Sequence, residues 1–449
     1  MTSARRKLIG WYAYDWASQP YHTLIVTFIF GPYVVTLVGD PAKAQSAWAA
    51  TLALSGLATG ILAPILGAIA DESGRLVRWT ALLSLLYMAC AAVLWFAAPG
   101  MSAVWVILFA FGIGLLAVEL ATTVTNAMLP RLAPRQDIGG VSGTGFALGY
   151  LGGLVALLAM LAFFAENDAG KTLLGQPPLL GLDPSQREGT RSVGPFTALW
   201  YGVFMIPFFL FLRDPMREGI PPPVRNRLMD AAQHVRRSLR RLPQRPSLAS
   251  YLASSMLYRD ALNGLYAFGG IYATGVLGWS VVHVGIFGIL GVTVAGLASW
   301  AGGQCDRRMG PKPVITSCIL ILTATSVLVV SLTPSSLLWI PLAEGSPLPH
   351  AAMFLCGAVI GGAGGALQAA SRSMMVRHTD PDHPTEAFGL YALSGKATAF
   401  VAPLLIGIVT AATSDQRLGV SPLIVLFLLG LALLAWVNKD GDIPEAPPE

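Results

Sequence analysis

Charge is what this sequence has least of: Asp, Glu, Lys and Arg make up 12% of its 449 residues, against 54% apolar residues and a mean hydropathy of +0.62. So few polar side chains could not cover the core of a water-soluble fold of that length, so lipid must be the solvent for most of the chain. Cysteine is also scarce. Cys90, Cys318 and Cys356 lie inside apolar runs and Cys305 in a basic loop, without CxxC or metal-ligand spacing, which excludes a disulfide framework and a structural zinc site. There is no HExxH, no GxSxG and no Asp-rich metal site, so a membrane-embedded enzyme is not expected, and neither is a cofactor. The net charge of +5 would suit nucleic acid, but the basic residues fall in short clusters between apolar runs, as topology signals do, and nucleic-acid binding is not expected.

What the chain does have is long apolar segments. A bilayer core of roughly 30 Å takes about 20 residues of helix, and twelve segments qualify: residues 9–38, 47–70, 77–98, 102–129, 139–164, 194–212, 248–275, 281–302, 313–333, 350–376, 386–411 and 420–437. None shows the strict alternation of a barrel strand, and an open sheet would leave backbone groups unpaired in lipid. The first segment follows Arg5, Arg6 and Lys7 like a signal peptide, but it is too long and is interrupted by Asp15, so it reads as an uncleaved span. Placing both termini in the cytoplasm puts 22 of the 29 lysines and arginines there. Only Lys43, Lys171, Arg187, Arg191 and Arg417 fall outside, and Arg259 and Lys396 lie within spans. A cytoplasmic (inner) membrane protein is the expectation, and a monomer.

The chain divides into residues 1–213 and 248–449, six spans each, joined by a basic connector over 214–247. Between Val224 and Leu242 the connector spaces Leu228, Ala231, Ala232, Val235 and Leu239 at helical intervals among arginines, which predicts an amphipathic helix on anionic inner-leaflet lipid. A solvated linker is the blander alternative. The halves echo each other: Asp15 in the first span matches Asp260 in the seventh, Asp71 after the second matches Asp306 after the eighth, and Pro134 after the fourth matches Pro381 after the tenth.

GAIADESGR, from Gly67 to Arg75, resembles the loop signature of the major facilitator superfamily. Three further stretches are similar to one branch, the family of the autophagy-related vacuolar amino-acid effluxer and its bacterial relatives. These are YDWASQPYHTLIVTFIFGPY from Tyr14, GGVSGTGFALGYLGG from Gly139 and SRSMMVRHTDPDHPTEAFGLYALSGKATAFVAPLLIG from Ser371. Gln19 and Pro20 depart from the small or Asn-like residues expected after YDWA, which would alter the shape of the first span. The resemblance implies an all-α fold of twelve helices in two pseudo-symmetric halves, alternating access and, in the fungal branch, amino-acid efflux. It also makes Asp71 and Arg75 a conformational latch, where the residues alone allow a simple turn. Asp306 and Arg372 are candidates for a second latch, and Arg372 and Arg377 serve equally as topology signals.

Ionisable groups inside a membrane cost about 2.5–3.5 kcal/mol each on insertion scales, so each needs a partner or a purpose. Asp15, Glu119, Arg259, Asp260 and Lys396 are the five such groups. By helical rise, Glu119 and Lys396 both lie roughly 15 Å from the inner end of their spans, near the midplane. Lys396 and Arg259 would offer charge to a substrate carboxylate, while Glu119 or Asp15 would meet an ammonium or a coupling proton. Three acids against two bases would leave one acid to exchange a proton if all five shared a cavity. Ion pairs that merely lock the halves are the alternative. His22 and His283 have no acid within four positions and read as structural. Asn126, Asn263, Gln368, Tyr150, Tyr266 and Trp16 are further cavity candidates, and the glycine runs near Gly143 and Gly362 permit close helix approach. The expected function is transport of a small polar solute, an amino acid or related zwitterion, with proton coupling. The competing readings are an exporter of hydrophobic or lipid-like compounds, which would not need Lys396, and a receptor or scaffold acting through the connector.

Overall fold

A helix satisfies its backbone hydrogen bonds within itself, which is what an apolar solvent demands. The computed structural model describes residues 3–167, 169–214, 233, 235–279, 281–343, 345–380 and 383–442. Among them, ten helices are long and apolar enough to cross a membrane, and a bent pair makes eleven. In chain order the spans are Ser3–Phe28 with Phe30–Val38 (first), Lys43–Ser73, Leu76–Phe96, Val104–Arg131, Ile138–Phe163 and Glu188–Phe211 (sixth). The eighth to twelfth are His283–Met309, Pro311–Ser331, Leu348–His378, Pro384–Thr413 and Gln416–Ala435. Pro246–Leu277, 32 residues long, occupies the seventh place. It has the length to span but is less apolar, because it carries Arg259, Asp260 and several hydroxyl side chains toward its neighbours.

The same internal ladder recurs in both halves. Trp11 Nε1 donates to the Thr125 carbonyl (2.8 Å), Tyr14 to that of Val118 (3.0 Å) and Tyr21 to that of Phe111 (2.7 Å), tying the first span to the fourth. Tyr251 donates to the Ser371 carbonyl (2.5 Å) and Tyr258 bonds Ser371 Oγ (2.8 Å), tying the seventh span to the tenth. These buried aromatic hydroxyls each find a partner, as an apolar interior requires.

The first span, expected over 9–38 with its shape altered at Gln19 and Pro20, is bent. Pro20 has no N–H to give the Trp16 carbonyl, which instead accepts from Trp200 Nε1 at 3.4 Å. From Tyr21 to Phe28 the turns widen to i→i+5 bonding, and the span bends by 42° at Ile29. The second and eighth spans run to Ser73 and Met309, so Asp71 and Asp306 sit on their last turns instead of in the loops beyond. An unexpected hairpin pairs Ser336–Leu337 with Ile340–Pro341 between the ninth and tenth spans. Most of the connector's expected helix lies outside the described residues. In its described end, helical over 235–241, Val235 packs on Ala68 and Ile69 of the second span.

The halves meet along two seams, the second span against the eleventh and the fifth against the eighth. Glycine makes both seams close. A Cβ on Gly143 would stand 2.6 Å from the Gly303 Cα, and one on Gly389 would stand 2.5 Å from the Pro64 Cα, so backbone lies directly on backbone. Gly143→Val should therefore push the fifth and eighth spans apart at a cost of about 1–3 kcal/mol. A lower melting temperature of the purified protein would show it.

Candidate functional site

At the end of the bundle where the described residues begin and end, three contacts hold the halves together. Asp71, on the last turn of the second span, accepts from the backbone N–H groups of Thr385 (3.0 Å) and Glu386 (2.8 Å). A carboxylate at the exposed N–H groups of a helix start is favoured by both hydrogen bonding and the helix dipole. Arg75 enters this turn through its backbone, whose N–H donates to Ser73 Oγ at 3.2 Å. Asp306 holds the related place in the other seam: buried, it presses on Gly139 in the first turn of the fifth span, while its neighbour Arg307 pairs with Asp137 at 2.7 Å. The third contact is Arg372, which reaches from the tenth span into the first half and pairs with Asp15 at 3.0 Å. It also donates to Asn126 Oδ1 (3.2 Å), Ser142 Oγ (2.9 Å) and the Ser142 carbonyl (2.7 Å).

The C-terminal residues cross the same end. Asp442 accepts from Ser247 N and Leu248 N at the start of the seventh helix, and Arg135 of the first half donates to the carbonyls of Arg377 and Asp440.

Deeper in the bundle, Lys396 Nζ meets Glu119 Oε1 at 2.8 Å, again across the halves. Neither is sealed: the side chains are 27% and 22% exposed. His22, in the widened turns of the first span, and Arg259 lie close enough to act on the charge of Glu119. Arg259 stacks on the Tyr391 ring (4.3 Å) and donates to its carbonyl (3.1 Å), and Gly395 leaves room for the guanidinium one residue before Lys396. Elsewhere in the bundle, Gln368 Nε2 donates to the Tyr150 hydroxyl at 3.0 Å, a further polar contact between the halves, and Tyr266 packs on Gly364.

The structure therefore divides the five intramembrane charges. Glu119, Lys396 and Arg259 come together, whereas Asp15 stands with Arg372 at the closed end. Asp260 faces backbone: its carboxylate accepts from Ala402 N (2.9 Å), capping the second part of the eleventh span where that helix breaks between Ala397 and Val401. The expected surplus of one acid becomes a surplus of one base, with a histidine beside it. Of the other candidates, Asn126 belongs to the Arg372 site, and Trp16 stacks on Trp200 within the first half (5.8 Å). Asn263 is exposed. His22, read from the sequence as structural, and Tyr391, which the sequence did not single out, stand beside this charged set.

Over residues 31–446 the chain matches the family described as vacuole effluxer Atg22 like. It belongs to that family. Its relatives include the MFS-type transporter YxiO of Bacillus subtilis, 23% identical over 96% of this chain and 94% of that protein. Autophagy-related protein 22 of Cryptococcus neoformans is 21% identical over 68% of this chain, which spans about half (54%) of the fungal protein's length. Among solved structures, the human organic anion transporter MFSD10 superposes with a TM-score of 0.69 at 16% identity, covering 97% of this chain and all of that one. A bacterial ferroportin homologue in its outward-facing state gives 0.66 at 15% identity, covering 97% and 99%. The fold of this Atg22-like protein is thus that of the major facilitators, and the protein is an integral membrane transporter.

Proposed function

We propose that this transporter moves a small zwitterion of the amino-acid type by alternating access, with proton coupling through Glu119. The observation that carries the reading is the half-open Lys396–Glu119 pair joining the two halves, with Arg259 alongside. In this structure each charge satisfies the other. A bound zwitterion replaces both partners at once, its carboxylate taking Lys396 and Arg259 and its ammonium taking Glu119, so no charge is left bare in the membrane. A simple anion would draw Lys396 away and leave Glu119 alone. With the zwitterion, a proton held by Glu119, next to His22, keeps the site neutral while the carboxylate engages Lys396 first, and its release as the ammonium reaches Glu119 couples transport to protons. The clustering of lysine and arginine at the end where the described residues begin and end favours a cytoplasmic location for that end. The latches at Asp71 and Arg372 then describe a state shut toward the cytoplasm.

Counterflow in proteoliposomes with a labelled amino-acid panel tests this directly. Exchange of at least one member, faster with an imposed proton gradient, is the expected result; no exchange by any member at any pH would sink the reading.

A further inference from the structure

Arg372 belongs to the second half, yet the groups that hold its guanidinium all belong to the first. Its central carbon lies over the ring of Trp11, 4.7 Å from the centroid, and over that of Phe146, 4.3 Å from the centroid. Around the edge stand acceptors: the Asp15 carboxylate, Asn126 Oδ1, and the hydroxyl and carbonyl of Ser142. Gly145 completes the slot, since a Cβ there would come within 2.8 Å of Nη2. Two aromatic faces with acceptors at the rim fit a flat, five-donor cation and fit a tetrahedral ammonium poorly. The slot is built from the first, fourth and fifth spans, so it moves as part of one half. Arg372 is its occupant only while the tenth span is docked.

We infer that Trp11, Asp15, Asn126, Ser142 and Phe146 form a guanidinium-binding site of the first half, filled by Arg372 in this closed state and available to guanidinium-bearing solutes when the halves part at this end. This rests on the alternating-access reading above. A small guanidinium compound then competes with the protein's own arginine. Because it binds only the parted state, it shifts the population toward that state.

The test uses the full chain in detergent, with methylguanidinium chloride as probe at constant ionic strength and below denaturing concentration. In Arg372→Ala the slot is empty in every conformation. The melting temperature should rise with the logarithm of probe concentration, by about 1.5 °C at ten times the half-saturating concentration. Methylammonium and urea should give no such rise, and adding Asp15→Asn or Trp11→Leu to the variant should abolish it. In the wild type, methylguanidinium should speed hydrogen exchange at the Thr385 and Glu386 amides, which are released when Asp71 lets go. An Arg372→Ala protein that melts cooperatively yet shows no such rise, or responds equally to methylammonium, would overturn the proposal. If that variant does not fold, the wild-type exchange decides, and unchanged exchange overturns it. Lys396→Ala should keep the methylguanidinium response, so a failure here is separable from a failure of amino-acid counterflow.

Discussion

Lys396→Ala is expected to reduce amino-acid counterflow by a factor of 100 or so while leaving the protein folded. The lysine supplies the charge that would hold a substrate carboxylate, and a charged hydrogen bond lost from a partly desolvated site is worth about 1.5–3 kcal/mol. The other half of the effect is Glu119, left without its cation inside the membrane. A neutralised partner should relieve that second cost. Lys396→Ala combined with Glu119→Gln should therefore melt at a higher temperature than Lys396→Ala alone, yet transport no better, because the restored stability does not restore a carboxylate site. Glu119→Gln alone separates the two roles further: it keeps Lys396 for the carboxylate but loses the partner of the ammonium, so exchange should fall, and what remains should no longer depend on a proton gradient. Counterflow and gradient-driven uptake measured on the three variants give these outcomes. Wild-type counterflow in Lys396→Ala would place the solute elsewhere, as an exporter of hydrophobic compounds would.

How much of this site can be read in the sequence depends on which kind of information each residue carries. Depth along a helix is nearly one-dimensional, so counting residues from the span ends places Glu119 and Lys396 at one level, and the structure joins them across 277 residues. Rotation about the helix axis is not one-dimensional. Asp15 and Asp260 match by position in the repeat, yet one faces a guanidinium and the other a backbone amide, because the eleventh span breaks after Lys396 and the tenth does not break near Arg372. His22 shows the limit most plainly: nothing acidic lies near it along its own span, and its acid arrives from the fourth. The bend in the first span has a local cause in Pro20, but the sequence alone does not say that the Trp16 carbonyl freed by it is taken by Trp200. Glycine runs carry the seams faithfully, since close backbone approach is a property of composition; which glycine meets which span is not.

Arg372→Ala should open the end of the bundle where the described residues begin and end. Removing one partner of a buried pair costs about 3–5 kcal/mol, because the other charge stays behind. Asp15, at 14% exposure, can gain some water, which argues for the lower figure. A loss of about 3 kcal/mol from the closed state alone is roughly a hundredfold shift in population. The two remaining contacts cannot compensate: Asp71 contributes two hydrogen bonds to one helix start, worth about 1–2 kcal/mol by analogy with helix caps, and the exposed Arg307–Asp137 pair about 0–1 kcal/mol. Cysteines placed across the fifth and eighth spans should lose their cross-linking, and hydrogen exchange at Thr385 and Glu386 should rise. Arg372→Lys should fall between the variant and the wild type, since an ammonium can meet Asp15 but cannot also reach Ser142 and lie over the rings of Trp11 and Phe146. Transport should fall in both variants although Arg372 bonds Asp15, Asn126 and Ser142 and not the Lys396–Glu119 pair. A carrier must visit both states within each cycle, and a shift of this size leaves one of them too rarely populated. If Arg372→Ala instead kept the seams cross-linked, the glycine contacts at Gly143 and Gly389 would be what closes this end, and Arg372 a passenger on them.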